Sequence, residues 1–169
     1  MGTPLPLSTL ARQALMLGSG FNTRYPHPWL VWEPGNRVSS AHGVPVTTVV
    51  PVQSPGQAPA AGDPLCFPLV PGARGAVRVG RSPESDVVVD DLTVSRDHLE
   101  LCVDAEGWFV RVPPQSSATT LVRKMSLQPG ETMRLVDGCA IVAGGVQFTF
   151  RAQGKLLPRV LEAAERMKE

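Results

Sequence analysis

The sequence predicts an all-β fold, a β-sandwich of two antiparallel sheets with a short helix near each end. Three observations predict it. Short alternating apolar runs recur from Leu65 to Arg151, each bounded by Gly, Pro, Asp or Ser. The 169 residues include 17 Pro and 16 Gly, so loops must be numerous. Helical periodicity is confined to the two ends of the chain.

The N-terminal helix is expected over Ser8 to Leu17, with Ser8 or Thr9 as its cap. Leu10, Ala11, Ala14 and Leu15 share one face, and Gly18-Ser19-Gly20 ends it. Trp29-Leu30-Val31-Trp32, bounded by Pro and Gly, is the first strand. His27 lies between two prolines and is incidental to this reading. Residues 36–63 then shift to Pro, Ser, Gly, Ala and Val. Val46–Val50 would add an edge strand and Gln53–Gly62 a flexible loop, so the stretch is a long insertion. Phosphorylation of Thr47 or Thr48 would make it a ligand for its own domain.

The sandwich resumes at Leu65–Val70 and turns at Pro71-Gly72 into the strand ending at Val79. Strands follow at Leu99–Val103, Trp108–Val112, Thr120–Val122, Thr132–Val136, Ala140–Val142 and Val146–Arg151. From Lys155 to Glu169 a helix sets Leu156, Leu157, Val160, Leu161 and Ala164 against Glu162, Glu165, Arg166 and Lys168. Pro158 falls in its first turn, where a missing N–H costs little. The domain reading is a helical leader at 1–24, a sandwich at 25–152 with the insertion at about 36–63, and a helix at 153–169.

Charge and cysteine content narrow the function. A net charge of +1 provides no basic field for DNA or RNA. Cys66, Cys102 and Cys139 are odd in number and widely spaced, which fits neither a disulfide framework nor a zinc signature. They read as buried thiols, and no cofactor or metal is expected. The N-terminal apolar run is too short to span a membrane and lacks a preceding basic residue, so a cytoplasmic setting is expected. The three histidines show no nucleophile–base pairing, so an enzyme is not expected.

The informative stretch runs from Val77 to Leu101, VRVGRSPESDVVVDDLTVSRDHLEL. Strands here hold up polar loops that carry Arg81, Ser95 and His98, an arrangement suited to binding an anion. Arg81 offers a forked guanidinium able to take two phosphate oxygens, and Ser95 a compact hydroxyl donor. The loop around Ser82 and the N–H groups near Arg96 would add neutral donors. From the residues alone, Ser95 can equally be a turn hydroxyl and Arg96 a solvated surface cation.

Gly80-Arg81, Ser85-Asp86 with its apolar run, and Ser95-Arg96-Asp97-His98 together resemble the forkhead-associated (FHA) family of phosphothreonine-binding β-sandwiches. Gly107-Trp108-Phe109-Val110, Leu127-x-Pro129-Gly130, Leu135-x-Asp137-Gly138 and Phe148-Thr149-Phe150 continue the series, over roughly Cys66 to Ala152. The resemblance implies that Arg81 and Ser95 contact the phosphate. It also implies that His98 is structural and holds the serine in place. Gly80 would allow close packing beneath the arginine, and Ser82, Arg96, Ser117 and Ala118 would complete the peptide site.

One departure stands out. The family has Asn-Gly-Thr before the strand at Thr120, and that Asn holds the peptide backbone. Here Ala118 and Thr119 take the Asn-Gly positions, and no Asn follows Asn36. Gln115 is the nearest amide. Losing one or two such hydrogen bonds costs about 1–3 kcal/mol, or ten- to a hundredfold in affinity. The implied partners are a phosphothreonine-containing protein and an upstream Ser/Thr kinase. The alternative is a phosphate-independent scaffold that has kept the fold and assembles, or forms a homo-oligomer, through its terminal helices.

Overall fold

The computed structural model describes residues 3–35, 56–59 and 62–169. The expected edge strand at Val46–Val50, and Thr47 and Thr48 with it, lie outside the described residues. The elements in chain order are β1 (Leu5–Pro6), α1 (Leu7–Leu17), a 3-10 turn (Gly18–Gly20), α2 (Phe21–Arg24), β2 (Trp29–Trp32), β3 (Leu65–Pro68), β4 (Ala76–Gly80) and β5 (Val87–Val88). They continue with β6 (Leu99–Asp104), β7 (Gly107–Arg111), β8 (Thr120–Val122), β9 (Met125–Leu127), β10 (Thr132–Arg134), β11 (Ala140–Ala143), β12 (Val146–Arg151) and α3 (Leu157–Arg166).

The strands form two sheets, one ordered β1-β3-β2-β12-β11-β8-β9 and the other β10-β7-β6-β4-β5. Pairing is antiparallel except between β4 and β5, where Val79 faces Val87 and Gly80 faces Val88 in parallel. The expectation of two antiparallel sheets is corrected at this one edge. Val89 N–H donates to the Gly80 carbonyl at 2.9 Å, extending the contact just past β5.

The alternation in β2 explains how three layers are joined. Leu30 and Trp32 face the other sheet and share one core with its Val79 and Leu101 and with Ile141 and Phe148 of their own sheet. Trp29 and Val31 face outward, yet they too are buried, beneath α1 and α3 with Leu10, Ala14, Cys66 and Val160. A strand buried on both faces has no polar position, which is why all four of its residues are apolar. Burial here pushes the Cys66 thiol up to about 12, so it stays protonated.

The helical layer is tied down by charge as well as packing. Arg159 on α3 donates through both terminal nitrogens to Glu33, at 2.5 and 2.7 Å, and Thr149 donates to the same carboxylate at 2.8 Å. Burial pushes the Glu33 carboxyl up, but these hydrogen bonds outweigh it and leave the group below its ordinary value.

The expected cap of α1 is corrected. Ser8 lies inside the helix and neither it nor Thr9 caps it. Instead the carboxylate of Asp63 accepts the Ser8 N–H at 3.0 Å and the Ser8 hydroxyl at 2.5 Å. A negative charge on the first free N–H groups also opposes the positive end of the helix dipole. On α3, Leu156, Val160 and Ala164 are buried, whereas Leu161, expected on the apolar face, is 43% exposed. Among the elements not foreseen are β1, α2 and β9. No helix among the described residues is long and apolar enough to cross a membrane. Nor do three His, Cys, Asp or Glu side chains come together there as a metal site.

Candidate functional site

Three loops meet at one end of the sandwich: residues 81–86 after β4, 89–98 before β6, and 112–119 before β8. Gly80 sets the first close against the second. A Cβ there would lie 2.0 Å from the Arg96 carbonyl oxygen and 2.8 Å from its carbon, so only glycine fits. The backbones are then stitched together. Arg81 N–H donates to the Ser95 carbonyl at 2.9 Å, Ser82 N–H to the Arg96 carbonyl at 3.1 Å, and His98 N–H to Val79 at 3.0 Å.

Within the loop around Ser82, expected to add neutral donors, the Ser82 N–H is engaged by the Arg96 carbonyl. The Ser82 hydroxyl accepts the Glu84 N–H at 3.3 Å, which leaves its own hydrogen to donate. The N–H of Arg96 finds no acceptor among the described residues.

Arg81 is partly exposed, and its Nε donates to the Val94 carbonyl at 3.2 Å. Among the described residues no carboxylate pairs with it. One nitrogen is thus spent on fixing the side chain, while the two terminal nitrogens of the fork remain open. Arg96 is exposed and likewise has no carboxylate partner among the described residues.

His98 is fully buried and holds two loops with its two ring nitrogens. Nδ1 lies 3.0 Å from the Ser95 N–H, which can only donate, so Nδ1 is the unprotonated nitrogen. Nε2 carries the hydrogen, 3.2 Å from the Thr119 carbonyl and 2.9 Å from the Thr120 hydroxyl. Burial holds the imidazole below its ordinary value, only partly offset by the bond to Thr119. Both nitrogens are occupied, so His98 is not available to the Ser95 hydroxyl as a base.

Ser95 Oγ instead accepts the Ala118 N–H at 3.0 Å. This contact uses a lone pair and leaves the hydroxyl hydrogen free to donate. Ser117 is exposed beside it, and Ser116 is buried with no partner for its hydroxyl among the described residues. Gln115, considered as a replacement for the missing amide, lines a groove of about 210 Å³ with Arg74, Arg78, Asp97 and Glu100 on the outer side of the β4–β6 pair. Asp86 has a structural part: its carboxylate accepts the Arg78 N–H at 2.8 Å.

The structure thus brings Gly80, at the end of β4, together with Arg81, Ser82, Ser95, Arg96, His98, Ser117 and Ala118 on three adjoining loops. The sequence reading missed Thr119 and Thr120 as partners of His98, and Thr93 and Gly144 behind it. Only Gly144-Gly145 left a trace in the sequence, as a Gly-rich turn.

The structure is thus a two-sheet sandwich with cross-bonded loops at one end, which carry hydroxyls and two arginines that no carboxylate pairs with among the described residues. The FHA domain model matches residues 77–144, a span that holds all eight of these positions. Over that span, under half of its length, the chain is similar to the FHA domain family. No curated protein matches it.

Among solved structures, it is similar to Mycobacterium tuberculosis EmbR in complex with a low affinity phosphopeptide. Identity is 27%, over 52% of this chain and 22% of that one, with a TM-score of 0.45. The chain therefore spans under a quarter of that protein's length. The FHA domain of an Arabidopsis thaliana hypothetical protein is 22% identical over 75% of this chain and 86% of its own, with a TM-score of 0.51. The N-terminal FHA domain of S. cerevisiae Rad53p, in complex with a phosphothreonine peptide, is 14% identical over 56% and 89%, with a TM-score of 0.46.

Proposed function

We propose that the chain binds phosphothreonine peptides through Arg81, Ser95 and their neighbours, tethering a phosphorylated partner in cytoplasmic Ser/Thr kinase signalling. The observation that carries this is the state of the donors. Arg81 is fixed through Nε with its fork open, and the Ser95 hydroxyl has an oxygen lone pair committed to Ala118 with its hydrogen available. A phosphothreonine carries about −1.5 to −2 charges and three acceptor oxygens, which this donor set complements. The Ser82 and Ser117 hydroxyls and the Arg96 N–H would add neutral donors, with the Arg96 guanidinium as a second cation. The match of residues 77–144 to the FHA domain model supports the same reading.

The commitment of both His98 nitrogens to backbone and Thr120 supports binding rather than catalysis at this site. The test is fluorescence anisotropy with a degenerate phosphothreonine library against unphosphorylated and phosphoserine versions. Micromolar, phosphothreonine-selective binding is expected; no binding by well-folded protein would overturn the reading.

A second reading is a phosphate-independent scaffold assembling through the helical layer. Ala118 in the place of the peptide-holding Asn favours it, as do the exposed apolar side chains of Leu15, Met16 and Leu161 on α1 and α3. Light scattering after size exclusion, on the full chain and on Met16 and Leu161 variants, tests it. An unchanged monomer in every sample would exclude assembly through this face.

A further inference from the structure

The β11–β12 turn lies behind the candidate site, and its two glycines contact both of the loops that carry Ser95 and Ala118. Gly144 has φ +58, and a Cβ there would fall 2.0 Å from the Thr93 carbonyl oxygen. Its N–H donates to the Thr119 carbonyl at 2.9 Å, the same oxygen that faces Nε2 of His98. Gly145 N–H donates to the Thr93 hydroxyl at 2.8 Å. That hydroxyl passes its own hydrogen to Asp91 Oδ1 at 2.6 Å, and the same carboxylate oxygen accepts the Thr93 N–H at 2.9 Å.

We infer that Thr93 and Gly144 are positioning residues: the Gly144-Gly145 turn clasps the 89–98 loop through Thr93 and the 112–119 loop through Thr119, and thereby sets the Ser95 hydroxyl against Ala118. The inference rests on the phosphothreonine-binding reading for its consequence in affinity, and on the geometry alone for its consequence in loop order. Thr93 is exposed. Its hydroxyl nevertheless accepts one hydrogen bond and donates another, joining a loop to a turn 52 residues away. A side chain needed only for solubility would leave that hydroxyl to water. The absence of a Cβ at Gly144 is required by the same contact, since any side chain there would push Thr93 off the turn.

The experiment compares wild type with Thr93→Val, which keeps the shape and removes the hydroxyl, and with Thr93→Ser, which keeps the hydroxyl. Gly144→Ala serves as the steric variant if it folds. Two readouts are taken: affinity and dissociation rate for a phosphothreonine peptide selected from a degenerate library, and amide hydrogen exchange at Ser95 and Ala118 in the free protein. Thr93→Val should weaken peptide binding about five- to tenfold through faster dissociation, with an unchanged melting temperature, and Thr93→Ser should restore wild-type affinity. Exchange at Ala118 should quicken by a similar factor in Thr93→Val and return in Thr93→Ser.

Wild-type affinity together with wild-type exchange in Thr93→Val would overturn the inference, as would failure of Thr93→Ser to rescue. If the wild-type chain binds no phosphopeptide, the proposed function falls. The exchange rates then decide the brace by themselves: quickened exchange supports it and unchanged exchange removes it.

Discussion

The backbone N–H of Ala118 ends on the hydroxyl oxygen of Ser95, 3.0 Å away, across two loops separated by 23 residues. It closes a ring. Ser95 N–H reaches Nδ1 of His98, Nε2 of His98 faces the Thr119 carbonyl, and the residue before Thr119 returns to Ser95. Each member fixes the next, so the serine hydroxyl has one direction left in which to donate.

Arg81→Ala should therefore abolish phosphopeptide binding, with a loss of at least about a hundredfold, since charge-assisted hydrogen bonds contribute about 1.5–3 kcal/mol each. Ser95→Ala should cost about tenfold, because it removes one donor and leaves the Ala118 N–H unpaired. Titration calorimetry on folded variants measures both. Wild-type affinity in Arg81→Ala would remove the arginine from the site.

Ala118→Asn should tighten binding by about ten- to a hundredfold if the side chain at this position faces the peptide backbone. The backbone bond to Ser95 is unaffected by the change, so any gain reports the new amide. Anisotropy on the two proteins with one peptide settles the matter, and equal affinities would show that the peptide does not pass over residue 118.

Gly80→Ala should destabilise the domain by about 2–4 kcal/mol, because the new methyl meets backbone rather than a flexible side chain. Chemical denaturation reads the change. A loss below about 0.5 kcal/mol would mean that the two loops separate easily, contrary to their three backbone hydrogen bonds.

The pH dependence follows from His98. Its folded value lies below the 6.5 of the free side chain, so between the two the unfolded chain binds the proton and the folded chain does not. Stability from this group is fully present above about 6.5 and is lost as pH falls through the folded value. Protonating Nδ1 also breaks the bond from Ser95 N–H. NMR titration of the ring should give a midpoint below 6.5, with the melting temperature falling across the same range; a midpoint above 6.5 would contradict the burial described here.

Much of this arrangement was legible in the sequence, and the parts that were not share a physical cause. Strands such as β2, β6, β7 and β12 announce themselves through alternation and their bounding turns. β9 does not, because its hairpin turns on Arg123 and Lys124, with φ of 50° and 66°, where Asn-Gly would be the usual signal. β1 is two residues long and exists only because Cys66 and Leu65 are there to pair with it. The same holds in the site. Arg81, Ser95 and His98 stand in an ordered series that can be read locally. Thr93 and Thr119 matter through contacts set by the folded backbone, and no local pattern in the sequence marks them; Gly144 shows there only as part of a Gly-rich turn. The Asp63 cap on α1 is a further case, a local requirement met from 55 residues away.

The pairing of α1 with α3 bears on the order in which the chain can fold. Leu7–Leu17 and Leu157–Arg166 sit at opposite ends of the sequence, so their layer closes a loop spanning nearly all of it. Contacts that distant form late, since the entropy of closure must be met before they return anything. During synthesis Trp29, Val31 and Cys66 would lack the α3 half of their cover on the outer face of the sheet until that helix arrives. The sandwich is then complete on its inner side while its outer side still presents a greasy surface to whatever binds nascent chains.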